Sequence, residues 1–210
     1  MKIEILNKAG EKTGKHIDLN DDIFGIEPNE HVMYLAVKQY LANQRQGTHK
    51  AKERGETAGS TRKLHRQKGT GGSRKGSIKN PLYHGGGTIF GPRPRNYSFK
   101  LNRKVKELAR RSALSQKAAD KRIIVVEDFT MEAPKTKTYS DMLNKMGVAG
   151  GRTLFVVGQN EINIGLSGRN IRNADTIRVD ELNTYGVLKA QHLILSESAA
   201  QMINQSAENN

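Results

Sequence analysis

Between Gln44 and Lys100 the chain abandons any pattern that could build a helix or a sheet. These 57 residues hold 14 Lys and Arg against two acids, Glu53 and Glu56, so the segment carries +12 of the chain's net +14. Eleven of the 21 glycines and three of the five prolines lie in it. Leu64 is the only apolar side chain between positions 59 and 77. No apolar period of 3.6 or 2.0 is visible from Gln46 to Gly87. Such a stretch buries too little apolar surface to offset its own ordering entropy. A structureless loop this long inside an ordinary domain is functional or disordered. Both readings are met by an arm that is mobile in the free protein and ordered by a polyanion that neutralises it.

The flanks, 1–43 and 101–210, read as one α/β body with the segment 44–100 inserted as a long extended loop. Lys2–Asn7 and Lys15–Leu19 alternate as short strands around an Ala9-Gly10 turn. Pro28-Asn29-Glu30 opens a helix that runs to about Asn43 with a broad apolar face. Leu101, Val105, Leu108, Ala109, Ala113 and Leu114 keep helical spacing to about Asp120. Ile123–Val126, Thr153–Val157, Thr176–Val179 and His192–Leu195 read as strands. The first is a continuous apolar run, typical of a strand covered on both faces. Helices are expected from Ser140 to Gly147, over Glu161–Leu166, over Leu182–Lys189 and from Ser196 to Met202. Strands alternating with helices predict a three-layer α/β/α body with a mostly parallel sheet of about four strands.

The same residues exclude several kinds of chemistry. Without cysteine there is no disulfide framework and no thiolate metal site. The longest apolar run, Val32–Val37, is far short of the ~20 residues of a membrane span. Met1–Asn7 has no apolar stretch of signal-peptide length, so a cytoplasmic location is expected. Gly71-Gly72-Ser73-Arg74-Lys75-Gly76-Ser77 lacks the lysine a phosphate-binding loop needs after its second glycine. Neither Gly69-Thr70-Gly71 nor Gly85-Gly86-Gly87 completes a dinucleotide fingerprint. Glu127-Asp128, at a strand end, is the best candidate for a metal-dependent site, and a strand terminus meeting water or a lysine is its plainer reading. His49, His65 and His84 lie among cations, which suits stacking or hydrogen bonding rather than metal binding. No enzyme, cofactor, metal or small-molecule substrate is expected.

A basic, glycine-loosened arm points to nucleic acid, and RNA is the better polyanion. The candidate phosphate contacts are Arg45, Lys50, Lys52, Arg54, Arg62, Lys63, Arg66, Lys68, Arg74, Lys75, Lys79, Arg93 and Arg95. Arginine can clamp a phosphate with two hydrogen bonds or stack on a base. Tyr83, Phe90, Tyr97 and Phe99 either stack on unpaired bases or pack locally. The tip falls near residues 60–75, and half of the arm, fully extended, would reach up to ~90 Å.

A series of short runs then resembles a known family. Arg45-Gln46-Gly47-Thr48, Arg66-Gln67-Lys68-Gly69-Thr70-Gly71, Gly76-Ser77-Ile78, Gly85-Gly86-Gly87 and Phe90-Gly91-Pro92-Arg93-Pro94-Arg95 are similar to the arm of the fourth protein of the large ribosomal subunit, in its bacterial form. The resemblance continues through Leu108–Ser115 and Pro134-Lys135-Thr136-Lys137 to Asn183-Thr184-Tyr185. It implies an α/β body on the outer side of the 50S subunit and an arm penetrating the 23S rRNA. It further implies early binding during assembly and neighbouring large-subunit proteins as partners. The arm's tip, here Arg62, Lys63, Leu64, His65, Arg66, Gln67 and Lys68 within 61–69, would line the exit tunnel and meet the nascent polypeptide. Many bacterial members have Pro-Trp where this chain has Leu64-His65, and Arg-Ala where it has Gly72-Ser73. An RNA chaperone or regulator working off the ribosome, and more remotely an RNA-processing enzyme, are the alternatives.

Overall fold

Apolar side chains at consecutive positions must point to opposite faces of a strand, so runs such as Leu154-Phe155-Val156-Val157 need cover on both sides. The computed structural model, which describes residues 1–158 and 161–208, supplies that cover. The elements run β1 (Lys2–Leu6), β2 (Lys12–Asp18), α1 (Asp21–Phe24), α2 (Glu30–Asn43), α3 (Arg103–Ala119) and β3 (Ile123–Val126). They continue α4 (Thr136–Lys145), β4 (Thr153–Val157), α5 (Ile162–Gly168), β5 (Ala174–Arg178), α6 (Thr184–Lys189), β6 (His192–Ser196) and α7 (Glu197–Glu208). The chain divides into two units, Met1–Tyr40 with Lys100–Asn210, and Leu41–Phe99.

In the first unit one sheet has the order β2-β1-β3-β6-β4-β5, with β1 and β2 antiparallel and every other pair parallel. The sheet therefore has six strands rather than about four. The N-terminal hairpin joins it through β1, which pairs with β3 by Ile5 and Leu6. The hairpin turn is set by Asn7, whose side-chain oxygen accepts from the N–H groups of Ala9 and Glu11, and by Gly10 at φ +79°.

The strand alternation sorts the core into two layers. Ile123, Val125, Leu154, Val156, Leu193 and Leu195 face Leu114, Ala118, Val187, Ala199 and Ile203 on α3, α6 and α7. Val126, Phe155, Val157 and Ile194 face Tyr139, Met142, Leu143 and Ile164 on α4 and α5. The α/β/α class read from the sequence is the observed one.

Local chemistry fixes the element ends. α4 starts at Thr136, a turn before Ser140, because the Lys135 N–H is taken by Ser167 Oγ at 3.0 Å and the Tyr139-Met142-Leu143 face is buried from the first turn. Asn183 caps α6, accepting from the Gly186 N–H at 2.7 Å, and Tyr185 stacks on Tyr40 at 4.8 Å. Ser112 and Ser115 on the buried side of α3 bond the Asn29 N–H and the Ile23 carbonyl. α2 buries only Met33 and Gln39, while Tyr34 and Leu41 stay exposed, so its apolar face is less covered than the sequence pattern implies. β5 begins two residues earlier than expected, at Ala174.

Asp128 caps α7 across the sheet. Its carboxylate accepts from the Ser198 N–H at 3.1 Å and the Ser198 hydroxyl at 2.9 Å. Asp128→Ala should cost about 1 kcal/mol of body stability, read as a lower urea midpoint at unchanged slope.

Candidate nucleic-acid interface

Residues 41–99 contain no helix or strand beyond the end of α2, among the described residues, yet the two halves of the arm are joined at intervals. The Arg95 N–H donates to the Gly47 carbonyl (3.1 Å), Ala51 to Pro92 (3.0 Å) and Thr88 to Lys52 (2.9 Å), while Gly87 to Lys79 (3.1 Å) closes a turn within the return half. Farther out, the Ser77 hydroxyl reaches the Ser60 carbonyl and the Leu64 N–H reaches Gly76. Pro92 and Pro94 have no N–H to give, so the return half cannot donate at alternate positions and a regular ladder does not form.

The charged groups sort into two sets. Near its root the arm consumes its own acids: Glu53 pairs with Arg93 at 2.6 Å, and Glu56 pairs with Lys50. The Lys50 hydrogen bond holds the Glu56 carboxyl below the usual carboxylate range, and the Glu53 N–H helps. Arg45 and Arg95 place their guanidinium carbons 3.9 and 4.5 Å from the centre of the Tyr97 ring. The Tyr97 hydroxyl and His49 Nε2 are 3.2 Å apart. Gly47 lies against this cluster at φ +65°, where a Cβ would collide with the Arg95 carbonyl and stand 2.9 Å from Tyr97 Cε2. We call this arrangement the clasp.

The outer set is different. Every residue from 61 to 74 is exposed, and among the described residues no carboxylate pairs with Arg62, Lys63, Arg66, Lys68 or Arg74. Lys63 hydrogen-bonds the neutral Gln67. Among the described residues Lys52, Arg54 and Lys79 likewise have no acid partner, and Lys75 lies 5.8 Å over the Tyr83 ring. Phe90 is 98% exposed and Leu82 89%, on the return half. An apolar ring held in water is in the state a base would relieve by stacking.

The sequence profile of the ribosomal protein L4/L1 family matches residues 17–206. The chain belongs to that family. It is 56% identical over 206 residues to the large ribosomal subunit protein uL4 of Parabacteroides distasonis, which covers 98% of this chain and 99% of that one. It is 54% identical over 206 residues to the uL4 of Flavobacterium psychrophilum, with the same coverage. The uL4 of Porphyromonas gingivalis is 54% identical over 205 residues, 98% of each chain.

In this L4/L1 chain the carboxylates considered for metal chemistry are otherwise engaged. Glu127 pairs with Lys15 at 3.1 Å, and Asp128 caps α7. The crevice at the carboxyl ends of β3, β6 and β4, where an open α/β sheet takes phosphate on a helix N-terminus, is lined by Asp128, Gly158, Glu161, Ser196 and Ser198. There the α7 N–H groups already serve a carboxylate. Among the described residues no three His, Asp or Glu side chains gather to hold a metal. Of the cations and rings singled out in the sequence, Arg45, Arg95 and Tyr97 come together in the clasp, Lys50 and Arg93 in ion pairs, and the tip residues stand apart from any partner acid. The clasp was missed because cation–ring contacts between positions about 50 apart leave no periodic trace. The signal lay in a glycine facing an Arg-Asn-Tyr run.

Proposed function

We propose that the chain is a non-enzymatic structural protein of the large ribosomal subunit that binds 23S rRNA through its arm. In this reading Lys52, Arg54, Arg62, Lys63, Arg66, Lys68, Arg74 and Lys79 make the phosphate contacts. Phe90 is the leading stacking group, with Tyr83 beside Lys75 as the second. Arg45, Lys50, Arg93, Arg95 and Tyr97 close the root and act on RNA from a fixed frame. The tip, 61–69, lines the nascent-chain exit tunnel, with Leu64 and His65 where other bacterial members carry Pro-Trp. The arm binds early in assembly, because a segment threaded into folded RNA has to be in place before the RNA closes on it. Neighbouring large-subunit proteins and the nascent polypeptide are the further partners, and the ribosome in the cytoplasm is the location.

One observation carries the reading: both acids of the arm are spent near its root, and the five cations from Arg62 to Arg74 are exposed with no counter-ion among the described residues. Solvated surface cations are ordinarily interspersed with acids. A phosphate backbone supplies the missing charge.

The test is sedimentation of extract from cells producing the full chain or a form lacking residues 49–86. The full chain should co-migrate with large subunits near one copy each after a moderate salt wash. The deleted form should keep the circular dichroism of the body and stay at the top of the gradient. Normal incorporation of the deleted form defeats the proposal. Recovery of the full chain only with free RNA assigns it to work off the ribosome.

A further inference from the structure

Cations gather at the end of the sheet where the parallel strands begin. α3 stops in a turn with Lys121 at φ +55°, the Lys121 N–H on the Ala118 carbonyl and the Arg122 N–H on the Lys117 carbonyl. This turn sets Arg122 one residue ahead of β3. Arg152 stands one residue ahead of β4, and its carbonyl accepts from the N–H groups of Gln191 (2.7 Å) and His192 (3.0 Å). Because β3, β6 and β4 are neighbours, Arg122, His192 and Arg152 mark the starts of three adjacent strands. Lys117 from the last turn of α3 and Lys189 from the last turn of α6 complete the group. Lys117, Arg122, Arg152 and Lys189 line one open pocket of about 410 Å³, floored by the 150–151 loop. Gly151 lets that loop lie close: a Cβ there would come 2.5 Å from Gln191 Oε1 and 3.3 Å from His192 Cδ2.

The charge in this pocket is compensated only in part. Lys117 is only 7% exposed, and its ammonium donates to the Ala190 carbonyl at 2.7 Å with no ion pair among the described residues. A buried ammonium ordinarily has an anion beside it. Lys189 has Asp175 at 3.0 Å, and Asp120 is the one acid whose field favours the charged Lys117. Burial and the nearby Arg122 push the Lys117 ammonium below its ordinary pKa, and burial, Arg122 and Lys117 do the same to His192. Residues 101–122 hold eight bases and two acids, while the rest of the body, 1–43 and 123–210, holds 13 bases and 17 acids. Lys117 and Arg122 of the pocket belong to that basic segment, and Arg152 and Lys189 join them from the acidic remainder.

We propose that this pocket binds a phosphate group, with Arg122 and Arg152 as its clamping forks and Lys117 as a fixed ammonium behind it. Two guanidinium forks suit a phosphate's several oxygens better than a single carboxylate. The phosphate belongs either to the RNA backbone, a form that rests on the function proposed above, or to a free phosphate compound. The pocket then gives the body an anion site of its own, built from different residues than the arm's.

The full chain is titrated with inorganic phosphate at constant ionic strength while the His192 imidazole is followed by NMR, its signal assigned by its loss in His192→Gln. A saturable shift that chloride does not reproduce is expected. Arg122→Gln and Arg152→Gln, both at exposed positions, should each weaken it about tenfold. A second titration uses a short RNA with hydroxyl ends, so that only diesters are offered. A His192 response to both ligands assigns the pocket to the RNA backbone, and a response to phosphate alone assigns it to free phosphate compounds. Silence of His192 to both overturns the proposal, as does a phosphate response unchanged in both arginine variants. RNA binding by the arm, measured as total affinity in the same samples, is independent of either result.

Discussion

Exchanging Arg62, Lys63, Arg66, Lys68, Arg74 and Lys75 for glutamine should remove a large part of the salt sensitivity of RNA binding while leaving the body intact. Each phosphate neutralised by a cation releases condensed counterions, which gives a log–log slope of about −0.7 per contact on single strands and −0.9 on duplex. If all six reach phosphate, the slope should become shallower by about four to five. Between 50 and 200 mM salt the unaltered chain should then lose about a thousandfold more affinity than the variant. The choice of these six follows from the structure. Among the described residues five have no carboxylate partner and Lys75 lies over the Tyr83 ring, so their loss breaks no ion pair seen there. The matched control exchanges Lys50 and Arg93, which are paired with Glu56 and Glu53. Releasing those two acids adds negative charge to the root, so the control should weaken binding at all salt concentrations with a much smaller change of slope per residue. The measurement is fluorescence anisotropy on a 23S rRNA fragment across a salt series. Equal slope changes per residue in the two sets would show that the arm's cations act only as bulk charge.

The body was legible because its physics is periodic. Ile123–Val126, Thr153–Val157 and His192–Leu195 are apolar at consecutive positions, and such runs admit little besides a strand between two layers. The strand count was short because β1 and β2 alternate only weakly and their role depends on pairing with β3, about 120 residues away. The start of α4 was misplaced because Ser140 looks like a cap, while the Ser167 hydroxyl that holds the Lys135 N–H lies on another helix. The arm was legible as charge and glycine and opaque as structure. Nothing in the composition of 44–100 distinguishes Arg93, which is neutralised by Glu53, from Arg74, which meets no acid. That division depends on which backbone segments lie side by side, and those are set by single hydrogen bonds such as Ala51 to Pro92. The cationic pocket was hidden for a related reason. Lys117, Arg122, Arg152, Lys189 and His192 are spread over 76 residues and converge only through the strand order β3-β6-β4.

Gly47→Ala should open the root of the arm without touching the stability of the body. The site penalises a side chain twice. Its φ of +65° is a region that non-glycine residues rarely adopt, and the added Cβ would overlap the Arg95 carbonyl and crowd Tyr97. The Arg95 N–H bond to the Gly47 carbonyl is the innermost link between the two halves, so relief of the overlap separates the groups that the link aligns. Arg45 and Arg95 then leave the Tyr97 ring, and the hydroxyl loses His49. Cation–ring contacts of this kind contribute about 0.5–1 kcal/mol each at exposed sites, so two of them with the tyrosine hydrogen bond amount to roughly 2 kcal/mol. If the clasp pre-orders the arm for RNA, that loss appears as about a thirtyfold weaker affinity, because ordering that was built into the free protein must now be supplied on binding. Tyr97→Phe separates the contributions: it keeps the ring for both guanidiniums, drops only the hydroxyl, and should weaken binding a fewfold. The body's urea midpoint should be the same in all three proteins, because Gly47 and Tyr97 belong to the unit 41–99. Hydrogen exchange supplies the direct reading, since the Arg95 and Ala51 amides should lose protection in Gly47→Ala and keep it in Tyr97→Phe. Unchanged affinity in Gly47→Ala, with those amides deprotected, would mean that the RNA closes the root by itself and the clasp serves only the free protein.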